Sequence, residues 1–456
     1  MKFRFLAIVA ATLALASCST DSIIKTKVPA RPAGQEDMIG FAAQPIEDVG
    51  IGIVGLGMRG SSAVSRLTFV PGCHIAAVCD VETDRAEAAE HKLAERGINV
   101  KVYSGAENAY EQLCSDPDVD LVYICTDWIH HVPVALCAME NGKHAAIEVP
   151  SAETLQACWD LVNTSERTRR HCTILENCCY DFFELTALEM ARQGVFGEII
   201  HAEGAYIHNL DPYWKRYWNN WRLDFNHANR GDLYPTHGFG PVCQALNIHR
   251  GDRLTTLVAM DTDPFNGPKH AAAAGMEGSE NFASGDVTMT MVRTAKGKTV
   301  LIEHDVLTPR PYSRMYQLVG TDGYAGKYPE NQICLRKEGA FDVDYSNFKG
   351  EKTYRGAELS ELMSQYRSPI LTPELEALAK EVGGHGGMDF IMDYRLVYCL
   401  NNGLPLDMDV YDLAEWCCIS ELSCISLENG SAPVEVPDFT RGAWDRLPGF
   451  SYAFAE

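Results

Sequence analysis

Tyr234 and His237 stand three residues apart in Gly231-Asp-Leu-Tyr-Pro-Thr-His-Gly238. Pro235 marks a helix start, and that spacing puts the phenol and the imidazole on one side of it. Such a pair can take a proton from a bound hydroxyl or an acidified carbon and return it. A second signature lies upstream in Gly52-Ile-Val-Gly-Leu-Gly-Met-Arg-Gly60, where Gly55, Gly57 and Gly60 have G-x-G-x-x-G spacing. It follows an apolar run and opens a helical segment at Arg59. Gly55 then allows the tight turn, Gly57 lets the backbone approach a pyrophosphate, and Gly60 lets the helix pack closely on the strand. Asp80 ends the next apolar run, at the expected distance of about 20 residues. Its carboxylate would accept hydrogen bonds from the adenosine ribose and repel a 2′-phosphate, so the expected cofactor is NAD rather than NADP.

Other candidates are less local. Tyr213-Trp-Lys-Arg-Tyr-Trp-Asn-Asn-Trp-Arg222 is dense in rings and cations. It reads as a carbohydrate-facing loop, sugars stacking on the rings while Arg and Asn address hydroxyls, or as a staple holding a long loop to its domain. Gly383-Gly-His-Gly-Gly-Met-Asp389 presents His385 on a turn, in a catalytic or a turn-stabilising role. The neighbours His130 and His131 have no partner at metal-ligand spacing and are expected near the dinucleotide or capping a helix. The chain has 16 cysteines, but no C-x-x-C pairs with a second one, so no metal is expected and most thiols read as small buried hydrophobes.

The elements that must carry these groups show two textures. From Val49 to Pro150, strand-like runs at 51–54, 74–79, 119–125 and 144–149 alternate with helical patterns. This implies βαβ units and a Rossmann doubly wound parallel sheet, with ligands beyond the carboxyl ends of the strands. Three segments should face the cofactor there: 125–131, Glu148-Val149-Pro150, and Glu176-Asn177 after a short strand at 172–175. Beyond about residue 180, longer alternating strands at 199–208, 287–292, 299–304 and 315–319 imply an α+β domain on a largely antiparallel sheet. The expected division is a signal over 1–18, a tether over 19–47, a Rossmann domain over 48–178 and an α+β substrate domain over 179–456. Lys2 and Arg4 precede an apolar stretch too short to span a bilayer, and Leu15-Ala-Ser-Cys18 resembles a bacterial lipoprotein signal with Cys18 lipidated. A net charge of −23 argues against nucleic acid and anionic membranes as partners.

Gly55-Leu-Gly-Met-Arg-Gly60, Glu148-Val-Pro, Glu176-Asn-Cys-Cys-Tyr180, Leu233-Tyr-Pro-Thr-His-Gly238, Gly384-His-Gly-Gly-Met-Asp389, Pro405-Leu-Asp and Val410-Tyr-Asp-Leu-Ala together resemble glycoside hydrolase family 109. These are NAD-dependent α-N-acetylgalactosaminidases within the Gfo/Idh/MocA oxidoreductase-like group. The resemblance runs from about residue 48 to the C-terminus. It implies an NAD⁺ used and regenerated in each turnover: oxidation at the sugar C3, loss of the acidified C2 proton, elimination of the glycosidic oxygen, addition of water and re-reduction. It places Met58, Arg59, Asp80, Trp128, Ile129, His130, His131, Glu148, Val149, Asn177, Tyr234, Pro235, Thr236 and His237 on NAD. Tyr206, Arg222, Tyr234 and Tyr312 fall on the sugar. Tyr234 and His237 are the expected proton-transfer groups, with Tyr180 and Glu148 in support.

The chain departs from the family at Ile129 and His130, where the pattern carries Glu and Trp, and lacks the twin-arginine signal common among exported members. Val149 stands where the wider oxidoreductase group has a lysine, which favours the glycosidase branch. The expected partner is a neutral glycan containing N-acetylgalactosamine or a related sugar. The alternatives are a net sugar oxidoreductase and a non-catalytic glycan-binding lipoprotein. An exposed sheet face in the second domain is an expected dimer surface.

Overall fold

The computed structural model describes residues 23–337 and 350–455; the signal and Cys18 lie outside the described residues. The first sheet contains β1 (Val49–Val54), β2 (Cys73–Asp80), β3 (Lys101–Ser104), β4 (Leu121–Ile124), β5 (His144–Ile147) and β6 (Cys172–Ile174). Their order is β3-β2-β1-β4-β5-β6, and every pair is parallel. β1, β4, β5 and β6 are buried along their whole length, as strands covered by helices on both faces must be. The strand order reverses between β1 and β4, so their carboxyl ends open a crevice next to the glycine-rich turn. β3 has no counterpart among the expected strands. It is a short edge strand, only partly buried, and its Lys-Val-Tyr-Ser is too brief to show a period.

The second sheet has nine strands: β7 (Ile199–Ile207), β8 (Leu254–Asp261), β9 (Thr288–Thr294), β10 (Thr299–Asp305), β11 (Gln317–Gly320), β12 (Gly323–Gly326), β13 (Gln332–Arg336), β14 (Glu351–Tyr354) and β15 (Val434–Glu435). Their order is β14-β13-β12-β11-β7-β10-β9-β8-β15, antiparallel except for β7 with β10. β9 alternates strictly between buried and exposed residues, so the sheet has one covered and one open face. Met260 and Met289 are cross-strand partners, and both are exposed on the open face.

Two features of the organisation bear on the expected division. The helices Met388–Asn402 and Val410–Cys417 return to the first domain, packing on β1, β6 and the helix Leu155–Thr168. The stretch expected to be a tether is docked from Ile24 onward. Ile24 N–H donates to Pro433 O at 2.8 Å, Arg31 pairs with buried Glu166 at 3.0 Å, and Met38 N–H donates to Tyr411 Oη at 3.0 Å. The 15 described cysteines are all unpaired and mostly buried. Burial pushes the thiols of Cys79 and Cys417 up to about 12, as inert packing groups require. No helix among the described residues is long and apolar enough to cross a membrane.

Candidate active site

The glycine-rich turn joins β1 to the helix Met58–Leu67, and each glycine has a separate reason to be there. Gly55 has φ 86°, and a Cβ on it would lie 2.6 Å from the Cys125 carbonyl carbon. A Cβ on Gly60 would strike Gly55 O at 1.8 Å. Gly57 differs: a Cβ there would meet no protein atom, and its φ of −65° is open to any residue. No protein atom fills the space a Cβ on Gly57 would take, so the turn stays open to a group approaching from outside the chain. The first amides of the helix Met58–Leu67 receive no side-chain cap and remain available to an anion. Asp80 fixes the turn by accepting from Leu56 N–H at 2.6 Å and lines the same cleft. This cleft encloses about 470 Å³, and its wall includes Gly57, Met58, Arg59, Asp80 and His130. The donor set and the open glycine fit a dinucleotide.

Beyond Arg59 the cleft gives way to an ionic network. Arg59 pairs with Glu148 at 2.7 Å and with Asp389 at 3.1 Å. Asp389 also accepts from Asn177 Nδ2 at 2.5 Å and faces His385 Nδ1 at 3.0 Å. Burial works against the Asp389 carboxylate, but His385, Arg59 and Arg66 outweigh it and hold its pKa far below the usual range. His385 thus joins the same network as Arg59 and Asn177, and the helix that starts at the glycine turn is fastened to the helix Met388–Asn402.

Tyr234 and His237 stand on a second close approach. A Cβ on Gly238 would lie 2.1 Å from Ala205 N, and one on Gly204 would lie 2.1 Å from Gly238 O. With both residues glycine, the helix Thr236–Leu246 settles directly on β7 and brings His237 beside Tyr206, ring centroids 5.4 Å apart. His237 Nδ1 meets Glu176 Oε1 at 2.7 Å, and its Nε2 faces Tyr234 Oη at 3.4 Å. Glu176 Oε1 also accepts from Cys178 N–H at 3.1 Å. Burial pushes the Glu176 carboxyl up, yet His237 and these hydrogen bonds hold it below its ordinary value. An ionised Glu176 accepts a hydrogen bond from Nδ1–H, which keeps the proton on Nδ1 and leaves Nε2 as the acceptor toward Tyr234. Burial drives the Tyr234 phenol well up, and nearby Arg222 only partly offsets this. A free phenolate is therefore disfavoured, and the hydroxyl proton needs His237 as its destination.

Arg222 is the second unusual group. Its guanidinium lies 4.9 Å from the Tyr234 ring centroid, 5.0 Å from Trp128, 5.2 Å from Tyr217 and 5.8 Å from Tyr206. It donates to Tyr217 Oη at 2.7 Å, its buried Nε has no hydrogen-bond partner, and among the described residues no carboxylate pairs with it. A buried cation of this kind is available to a carbonyl or hydroxyl oxygen of a ligand. His208 and His304 flank Tyr206, and burial, then Arg222, lower them to about 4 and about 3, so both are neutral. Tyr312 stands on the rim, edge-on to His208 at 5.2 Å.

The structure thus brings Tyr234, His237, Tyr206, Arg222 and Tyr312 together and places Arg59, Glu148 and Asn177 in one network. Four expectations are corrected. Tyr180 is committed elsewhere: its hydroxyl donates at 3.1 Å to Asp407, which Arg395 clamps through two bonds, so it anchors the core and has no proton partner in the site. Ile129 projects into solvent, 62% exposed, leaving His130 alone at the changed position of the cofactor wall. His131 is a buried brace, its ring nitrogens 2.9 Å from Pro150 O and 3.2 Å from Thr126 O. The aromatic loop is not wholly carbohydrate-facing, since Arg216, Tyr217, Trp218 and Trp221 line the cofactor cleft. Val149 contributes backbone, its carbonyl accepting from Trp128 Nε1 at 3.2 Å, while Pro235 and Thr236 are buried at the helix start. Glu176 was missed as a chemical group because its partner is 61 residues away. Glu176, Cys178 and His237 also offer ligand atoms within 4.8 Å of one another, a grouping the spacing of the sequence does not disclose. A larger cavity of about 620 Å³, near Phe41, His171 and Phe450, contains none of the candidate residues.

A parallel dinucleotide-binding sheet joined to an open antiparallel sheet, with the polar pair between them, defines a protein of the NAD-binding oxidoreductase type, and NAD is its cofactor. Residues 49–175 match the oxidoreductase family's NAD-binding Rossmann fold, and residues 180–446 match the glycosyl hydrolase 109 C-terminal domain. The chain belongs to glycosyl hydrolase family 109. It is 56% identical to glycosyl hydrolase family 109 protein 1 of Bacteroides thetaiotaomicron over 459 residues, 97% of this chain and 98% of the relative. A family 109 protein of Porphyromonas gingivalis is 56% identical over 437 residues, 95% of this chain and 93% of the relative. Among solved structures, levoglucosan dehydrogenase with NADH and L-sorbose superposes with a TM-score of 0.63 at 18% identity, covering 86% of this chain and all of that one, a likeness of fold.

Proposed function

We propose that this glycosidase hydrolyses α-N-acetylgalactosaminides by a redox-neutral route in which NAD is not consumed. The observation that carries the reading is the chain Glu176–His237–Tyr234, a carboxylate, an imidazole and a phenol in series. When bound, NAD supplies reversible hydride exchange at the sugar C3, which acidifies the C2 proton and opens loss of the glycosidic oxygen before water adds. On this reading Tyr234 and His237 move protons at C2 and C3, and Glu176 keeps Nε2 of His237 free to accept. Arg222 orients the sugar oxygens and Tyr206 and Tyr312 cover its apolar face. Glu148, held by Arg59, supports the cofactor side. A cycle without net oxidation suits an exported protein with no outside pool to regenerate a spent nicotinamide, and we place the chain in a bacterial envelope, anchored through lipid on Cys18. A second copy is proposed across the open face at Met260 and Met289.

Turnover of an aryl α-N-acetylgalactosaminide in heavy water tests the route. Deuterium at C2 of the released sugar without accumulation of NADH is expected. Product protonated only from the original C2–H would remove the elimination step, and keto product with a matching reduced co-product would make the protein a net oxidoreductase.

A further inference from the structure

The cofactor cleft has two walls from distant parts of the chain. One is the carboxyl edge of the parallel sheet, where Asp80 ends β2 and Arg85 follows on the next helix. The other is the loop between β7 and the helix Trp221–Ala228, which reaches across and puts Arg216, Tyr217 and Trp218 into the same lining. Across the mouth of the cleft the Arg85 guanidinium lies 5.6 Å from the Trp218 ring centroid. Arg85 in turn stands 4.0 Å from Asp80, the residue placed at the adenosine ribose.

Trp218 is 37% exposed, an unusual state for the largest apolar side chain. It is also held out deliberately. Asn219 and Asn220 both have left-handed backbone, φ 48° and 55°, a conformation that asparagine tolerates better than most residues and that reverses the chain directly after the ring. The loop therefore presents Trp218 across the cleft instead of folding it into its own domain.

We propose that Trp218, closing on Arg85, is a retaining clamp over the adenosine end of bound NAD, and that its opening sets the rate at which the cofactor leaves. The spacing distinguishes a clamp from a sandwich. A flat base inserted between two flat groups needs two stacking distances, roughly 7 Å, whereas the pair is 5.6 Å apart. The adenine accordingly lies beside the pair, which closes the mouth and must part for exchange. A cofactor regenerated in every turnover gains from slow escape, since each loss idles the enzyme until another molecule arrives.

The test loads the full chain with 1,N6-etheno-NAD⁺ and follows its displacement by excess NAD⁺. Trp218→Ala is expected to speed release on the order of 10- to 100-fold, the range for loss of one ring at a base. Trp218→Phe, which keeps a ring, should stay within about threefold of wild type. Asp80→Ala calibrates the assay by weakening binding without touching the loop, and thermal unfolding of the NAD-stripped variants checks that they fold. Release from Trp218→Ala at the wild-type rate overturns the clamp. So does weaker sugar binding with NAD release unchanged, which would assign the ring to the glycan. A wild-type chain that took up no dinucleotide would remove the clamp and the cofactor reading together, while normal uptake with unchanged release removes the clamp alone.

Discussion

Replacing Glu176 by glutamine isolates the charge behind His237. The carboxylate is fully buried and its Oε1 accepts from both His237 Nδ1, at 2.7 Å, and Cys178 N–H, at 3.1 Å. An amide oxygen can serve both donors, so the fold and the tautomer of His237 should survive in Glu176→Gln. What is lost is the negative charge that stabilises the imidazolium formed when His237 takes a proton. A hydrogen bond to a charged group contributes about 1.5–3 kcal/mol and a neutral one about 1 kcal/mol, so the loss is roughly 0.5–2 kcal/mol. At about 1.4 kcal/mol per decade, kcat should fall about 2- to 30-fold. The assay compares turnover of an aryl α-N-acetylgalactosaminide with that of the same substrate deuterated at C2. Because proton removal becomes slower in the variant while other steps do not, the C2 isotope effect on kcat should rise. Unchanged kcat, or a fall in kcat with an unchanged isotope effect, would show that Glu176 only packs against His237.

Asp232 offers a pH test. Burial lifts its carboxyl from the ordinary 3.8 to about 7, opposed only by the Tyr234 N–H. Its folded value stands above its unfolded one, so its contribution to stability is complete below about pH 3.8 and is lost as pH rises through about 7. Asp232→Asn, which keeps an acceptor for Tyr234, should therefore gain in unfolding midpoint over wild type steadily from pH 4 to pH 8; a constant difference refutes this. Arg222→Met should raise the sugar KM at least about tenfold while leaving the unfolding midpoint equal or higher, because a buried cation without a carboxylate is itself a strain on the fold. A lower midpoint with normal KM would reverse that assignment. Met289→Lys on the open sheet face should shift the protein from dimer to monomer in sedimentation; a wild type that sediments as a monomer removes the proposed interface.

The dinucleotide turn was readable from the chain because its constraints are local: three glycines and Asp80 are tied by spacing within one βαβ unit. Tyr234 and His237 were readable for the same reason, being three residues apart on one helix start. Glu176 was expected to face the cofactor, but its bond to His237 was not readable, since the packing of Gly204 on Gly238 is what brings that helix within reach of it. The aromatic loop shows a different limit. Its composition announced ring contacts, but whether Trp218 turns to the cofactor and Arg222 to the phenols is decided by Asn219 and Asn220. Tyr180 was named from its motif, and its hydroxyl goes to Asp407, 227 residues later in the chain. Residues 19–47 read as a tether because they are polar with several Pro and Gly, a composition that does not register the backbone bonds and buried ion pairs made from Ile24 onward.

Those contacts begin at Ile24, which bridges to Val434 on the margin of the second sheet. Ile24 lies six residues after Cys18, and at 3.3–3.6 Å per extended residue those six steps can span only about 20 Å. Acyl chains on Cys18 would consequently hold the enzyme on a short leash with the β15 edge turned toward the lipid. On the proposed lipidation, glycans would have to come to the membrane face, with little freedom for the catalyst to swing out and meet them.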